Sequence, residues 1–222
     1  MPQPTKNAAK KRPIPTRRSP VLKGGKAHPA PHTGAEDDVK ITALKLPPGK
    51  FSPEMDAYFK KCEERLGFVP NVLKAFAFDD AKLQAFVEYR QQLVQNAASL
   101  SKLEIEMIAT AVSAQNRCFY CITAHGNAVR QLGGPVLGEM MVMNYRAARL
   151  DKRQRAMLDF AVKLTTQPWE VEEEDRARLR RAGFSDRDIW DIASVAAFYN
   201  MTNRLASATD MRPNSVYHGQ AR

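Results

Sequence analysis

Apolar residues recur at helical intervals from about residue 50 to the C-terminus. Met55, Phe59, Cys62 and Leu66 stand about one turn apart, behind Ser52 as a cap and ahead of Gly67 as a stop. That spacing predicts a helix over 52–66 with these four side chains on its buried face. A short helix over 69–78, entered through Pro70 and Asn71, follows. Asp79 and Asp80 put negative charge at the start of a longer helix whose apolar stripe is Leu83, Phe86, Val87, Leu93 and Val94. Ser99 or Ser101 opens the next, running to about Gln115, with Ile105, Ile108, Ala109 and Val112 at i, i+3, i+4 and i+7. A further helix over 118–131 is stopped by Gly133, Gly134 and Pro135. Helices over 136–145, 152–166, 175–181 and 185–208 complete the pattern.

No segment alternates with period two for long enough to demand a strand. The fold class is therefore all-α, a compact multi-helix bundle with short connections. A shift of 84 residues lays Ser101, Ile105, Ile108 and Ala109 onto Ser185, Ile189, Ile192 and Ala193, an internal echo that favours one bundle over two domains.

Charge divides the chain differently. Of the net charge of +10, +8 falls within residues 1–35, which hold no acidic residue and seven of the fourteen prolines. Such a stretch cannot nucleate helix or bury a core. The expected organisation is a disordered, basic, proline-rich arm over 1–38 and a helical domain over 39–222. The arm lacks the interleaved aromatics that grip bases, so it reads as a solvated tail and nucleic acid as an unlikely partner. No apolar run is long enough to span a bilayer, so no membrane association is expected. Three cysteines are too few and too odd in number for a secreted disulfide framework, which points to a reducing cytoplasm.

The chemistry concentrates between Glu106 and His125. Cys118, Cys121 and His125 are spaced to share one face of a helix, with Cys118 at its N-terminus, where the dipole favours a thiolate. Glu106 lies twelve residues before Cys118 and reaches this face only if the chain turns at Asn116 and Arg117 and the two helices pack antiparallel. Glu106 and His125 then differ by only about 3 Å in axial level, as a proton relay to a cysteine requires. A thiolate with a second thiol three residues away can reduce a peroxide and close a disulfide, or exchange with an external dithiol. No cofactor is called for. The rival reading is a non-catalytic zinc-binding or nucleic-acid-associated module, with two thiolates, an imidazole and a carboxylate as the zinc ligands. Glu104, some 200° around the helix from Glu106, is expected to face solvent. Cys62 reads as inert packing, and Trp169 and Trp190 as packing anchors.

The order E-x11-C-x2-C-x3-H formed by Glu106, Cys118, Cys121 and His125 resembles the alkylhydroperoxidase D-like proteins of the carboxymuconolactone decarboxylase superfamily, in its peroxidase-related branch. Supporting fragments are Gly67-Phe68-Val69-Pro70-Asn71, Phe198-Tyr199-Asn200 with Asn203-Arg204, and Arg212-Pro213-Asn214. The resemblance covers about residues 40–222. It implies an all-helical fold and a homo-oligomer (dimer, trimer or hexamer). It also implies hydroperoxide reduction in antioxidant defence, with a thiol or dithiol reductant such as a lipoyl or thioredoxin-like protein. By the same resemblance Cys121 is the thiol that attacks peroxide, and Cys118 the proton donor and resolver. Position and dipole instead favour Cys118 as the more acidic thiol, which leaves the order of attack open. Alkylhydroperoxidase D has a second histidine between its cysteines where this chain has Tyr120, and the lactone decarboxylases lack the cysteine pair.

Overall fold

The longer helices mostly begin where a serine or aspartate side chain takes up a free N–H group. The computed structural model describes residues 39–97 and 99–222, and the arm expected over 1–38 lies outside them. Among the described residues there are α-helices and short 3-10 turns and no strand. The α-helices are α1 (Pro53–Leu66), α2 (Asn71–Ala75), α3 (Asp80–Gln95), α4 (Lys102–Gln115), α5 (Phe119–Gly133), α6 (Pro135–Asn144), α7 (Lys152–Thr166), α8 (Glu173–Arg181) and α9 (Asp186–Ala208).

Ser52 caps α1 and Asp79 caps α3, each accepting from a backbone N–H, and Gly67 ends α1 in the left-handed region at φ 79°. Ser101 with Glu104, and Ser185 with Asp188, close reciprocal capping boxes on α4 and α9. The internal echo is thus a pair of equivalent helix starts, and it extends to the far ends: Asn116 Nδ2 donates to Asn200 Oδ1 at 2.9 Å, again 84 residues apart.

Helix α4 is the axle of the bundle, packed against α5, α7 and α9. Ile105, Met107, Ile108, Ala109, Ala111 and Val112 are all at most 1% exposed, so α4 is buried on nearly every side. That corrects the expectation for Glu104. It is 6% exposed, closes the capping box on Ser101 and pairs with Arg153, whose guanidinium lies over the Phe184 ring. Helices α5 and α6 approach closely because Gly138 faces Arg130. A Cβ there would sit 3.1 Å from the Arg130 backbone nitrogen.

Two of the recognised fragments meet in space. The Asn71 N–H donates to Asn214 Oδ1 at 2.8 Å, Asn71 Nδ2 to the Arg212 carbonyl at 3.1 Å, and Asn214 Nδ2 to the Val69 carbonyl at 3.1 Å. This buried clasp ties α2 to the C-terminal segment, so residues separated by 143 positions build one wall.

Three apolar side chains depart from the pattern. Leu66 is 52% exposed rather than part of the buried face, because the last turn of α1 borders a cavity. Trp169, on a 3-10 turn, and Trp190, on the outer face of α9, are 76% and 72% exposed, so neither anchors the core. Among the described residues no helix is long and apolar enough to cross a membrane.

Candidate active site

The turn between α4 and α5 sets the site. Arg117 adopts φ 53°, uncommon for a residue with a side chain, and reverses the chain within two residues. Cys118 becomes the N-cap of α5, and α5 runs back along α4. The Glu106 carboxylate meets the imidazole across this hairpin: His125 Nδ1 lies 2.7 Å from Glu106 Oε2, with both side chains largely buried. Burial alone would raise the Glu106 pKa. His125, by charge and hydrogen bond, and then Arg90, outweigh it and hold the carboxyl below its ordinary value. An ionised carboxylate can only accept, so Nδ1 carries the hydrogen and Nε2 is left for other traffic.

The sulfurs form the second pair. Cys118 and Cys121 are free thiols, both buried, and each is the largest influence on the acidity of the other. The Cys121 thiol, ahead of the opposing cost of burial, lowers Cys118 to about 7, helped by the Cys121 backbone N–H and by Ser207. The same contact, then burial, pushes Cys121 up, opposed by Asn203 and Thr202. Cys118 is therefore the more acidic of the two thiols and Cys121 the less acidic.

The structure brings Glu106 to His125 and Cys118 to Cys121. His125 bears on Cys118 electrostatically, as the smallest of the named influences on that thiol, and its hydrogen bond goes to Glu106. Among the described residues no group of three His, Cys, Asp or Glu side chains is arranged to hold a metal ion.

A cavity of about 450 Å³ opens onto these groups. Cys121, His125 and Glu106 line it, together with Tyr199, Arg90, Tyr120, Tyr217 and a wall of Phe68, Phe76, Phe86 and Phe198. Cys118 does not contribute to the lining, so Cys121 is the sulfur presented to the cavity. Cys62 also reaches the wall, its thiol raised chiefly by burial, as an inert thiol should be.

Several contributors escaped the periodicity. Tyr199 packs edge-on against the His125 ring at 4.5 Å, and Arg90 interacts electrostatically with both Tyr199 and Glu106. Arg90 had left a trace in the sequence, since it follows Phe86 and Val87 by four and three residues on the apolar stripe of α3. Asn203 is 1% exposed, accepts from Asn116 Nδ2 at 2.8 Å and donates to Ser113 Oγ at 2.9 Å, which fixes its amide beside Cys121. The Tyr120 hydroxyl accepts from the Val72 N–H at 3.0 Å, a tie between α5 and α2 where a second histidine would offer a proton carrier.

The pattern for the carboxymuconolactone decarboxylase family matches residues 81–135, a stretch containing all four motif residues. The solved structure of an uncharacterized peroxidase-related protein from Silicibacter sp. TM1040 is 59% identical, covers 82% of this chain and 97% of its own, and has a TM-score of 0.80. The chain belongs to the alkylhydroperoxidase D-like proteins of the carboxymuconolactone decarboxylase superfamily. A peroxidase-related protein from Ralstonia eutropha JMP134, described as an alkylhydroperoxidase AhpD core, is 36% identical over 82% of this chain and 97% of its own, with a TM-score of 0.78. The debrominase Bmp8 is 20% identical over 75% of this chain and 89% of its own, with a TM-score of 0.64, a likeness of fold alone. None of the curated proteins matches the chain in sequence.

Proposed function

We propose that this alkylhydroperoxidase D-like chain is a thiol-dependent peroxidase, with residues 39–222 as its catalytic domain. The observation that carries the reading is a pair of free, buried cysteines three residues apart, one of them lining a cavity that also holds a carboxylate-anchored imidazole.

In this mechanism the Cys118 thiolate takes the proton of Cys121. The Cys121 thiolate attacks the terminal oxygen of a hydroperoxide; the O–O bond breaks as an S–O bond forms, and the alkoxide leaves. Cys118, now protonated, supplies the proton that makes the leaving group an alcohol. The regenerated Cys118 thiolate then attacks the Cys121 sulfenic acid, forming S–S and breaking S–O, and the departing hydroxide is protonated by way of His125 to give water. Two electrons have passed from two thiols to the peroxide. An external dithiol, of the lipoyl or thioredoxin kind, returns them and is itself oxidised to a disulfide in the reducing cytoplasm. Glu106 holds His125 in one tautomer and orientation throughout.

Steady-state consumption of an organic hydroperoxide with excess dithiol tests the reading. Cys118→Ser and Cys121→Ser should each lose at least about 100-fold in turnover. Full activity in both variants would refute the mechanism.

A further inference from the structure

The cavity is far larger than hydrogen peroxide needs. A water-sized molecule takes about 30 Å³, whereas this chamber is about 450 Å³ with four phenylalanines and four tyrosines in its wall, the scale of a drug-sized organic ligand. A second cavity of about 200 Å³ adjoins it along a shared wall of Tyr58, Cys62, Arg65, Leu66 and Arg90. Cys121 and His125 line only the larger chamber, and Lys61 only the smaller. The smaller chamber therefore lies away from the sulfur, and its described lining contains three cations, Lys61, Arg65 and Arg90, and no carboxylate.

Lys61 and Arg65 stand one turn apart on α1, like charges at i and i+4 that repel one another. Arg90 already faces Glu106 and Tyr199, while Lys61 and Arg65 are exposed. The exposed Leu66 beside them adds apolar surface to the same lining. A chamber with an aromatic wall beside a thiol, adjoined by a cavity lined with cations, fits a molecule with an oxidised apolar body and an anionic head.

We infer that the substrate is the hydroperoxide of an amphipathic carboxylate, of the kind an unsaturated fatty acid gives, with its carboxylate at Lys61 and Arg65 and its hydroperoxide at Cys121. This rests on the peroxidase reading above. The reaction is the one already balanced there: the fatty-acid hydroperoxide leaves as the hydroxy acid, its terminal oxygen leaves as water, and the dithiol supplies both electrons.

The experiment has two arms on the full chain. The first compares linoleic acid hydroperoxide, its methyl ester, cumene hydroperoxide and hydrogen peroxide in steady state with dithiothreitol. The acid should exceed its ester at least about tenfold in kcat/KM. A Lys61→Gln, Arg65→Gln double variant should erase that preference through KM. Equal turnover of acid and ester, a preference that survives in the double variant, or hydrogen peroxide as the best substrate would overturn the inference.

The second arm measures binding of linoleic acid itself by calorimetry, below its micelle concentration, at low and high salt. Binding weakened by salt and by the double variant supports the carboxylate site. If the acid binds in this way and no hydroperoxide is consumed, the peroxidase reading fails and the site stands. If neutral hydroperoxides are consumed and the acid does not bind, the inference fails and the peroxidase reading stands.

Discussion

At the scale of single residues, two sulfurs of one chemical type are driven apart in acidity by their surroundings. Cys118 is lowered to about 7 and Cys121 raised, each chiefly through the other. The thiolate ultraviolet absorbance of the reduced protein should therefore rise through a midpoint near 7. In Cys121→Ala, which removes the largest cause, the midpoint should move up toward the ordinary value of 9.0. A midpoint unchanged by that substitution would contradict this mutual influence. Glu106 offers a second check. Its folded pKa lies below the ordinary 4.5, so it adds stability above that value, and the contribution is lost as pH falls through the lower, folded value. Glu106→Gln should abolish this part of the acid limb in denaturant titrations at successive pH values. It should also slow peroxide turnover about 10- to 100-fold, as loss of an orienting partner does. The four motif residues were legible because cysteine, histidine and glutamate at these intervals fit few other purposes. Arg90 was not, and Tyr199 and Asn203 stood out only through the family resemblance, because a polar residue on a packed helix announces a partner without saying which one.

At the scale of helices, starts and stops were plain in the sequence wherever a side chain makes them. Ser52, Ser101 and Ser185 each cap the helix expected to follow, and Gly67 ends one. Glu104 shows where that reasoning fails. Angular placement sets it opposite Glu106 correctly, but opposite a buried face means solvent only for a helix packed on one side. Helix α4 is enclosed by α5, α7 and α9, so its far face is interior too. The close pairing of α5 and α6 depends on Gly138, and Gly138→Ala should lower unfolding free energy by about 1–3 kcal/mol, measured by urea denaturation. A neutral result would mean that the two helices slide apart without cost. Leu66, Trp169 and Trp190 mark the converse limit, since hydrophobicity alone does not separate a core contact from an exposed apolar surface.

For the molecule as a whole, the fold class was readable from periodicity, whereas the cavity was not, because its walls come from segments far apart in sequence. The clasp between Asn71 and Asn214 is the clearest case. Asn214→Ala would leave the Asn71 N–H and the Val69 carbonyl without that partner. It should cost about 1–3 kcal/mol in unfolding free energy, and should loosen α2, whose Val72 and Leu73 line the cavity. The central claim, that one cavity-facing sulfur is oxidised and its neighbour closes on it, is tested most directly by mass spectrometry after brief exposure to an organic hydroperoxide. The account predicts a Cys118–Cys121 disulfide in the wild type, and in Cys118→Ser a sulfenic acid confined to Cys121. Oxidation that spares both sulfurs, or a sulfenic acid on Cys118 with Cys121 untouched, would contradict it.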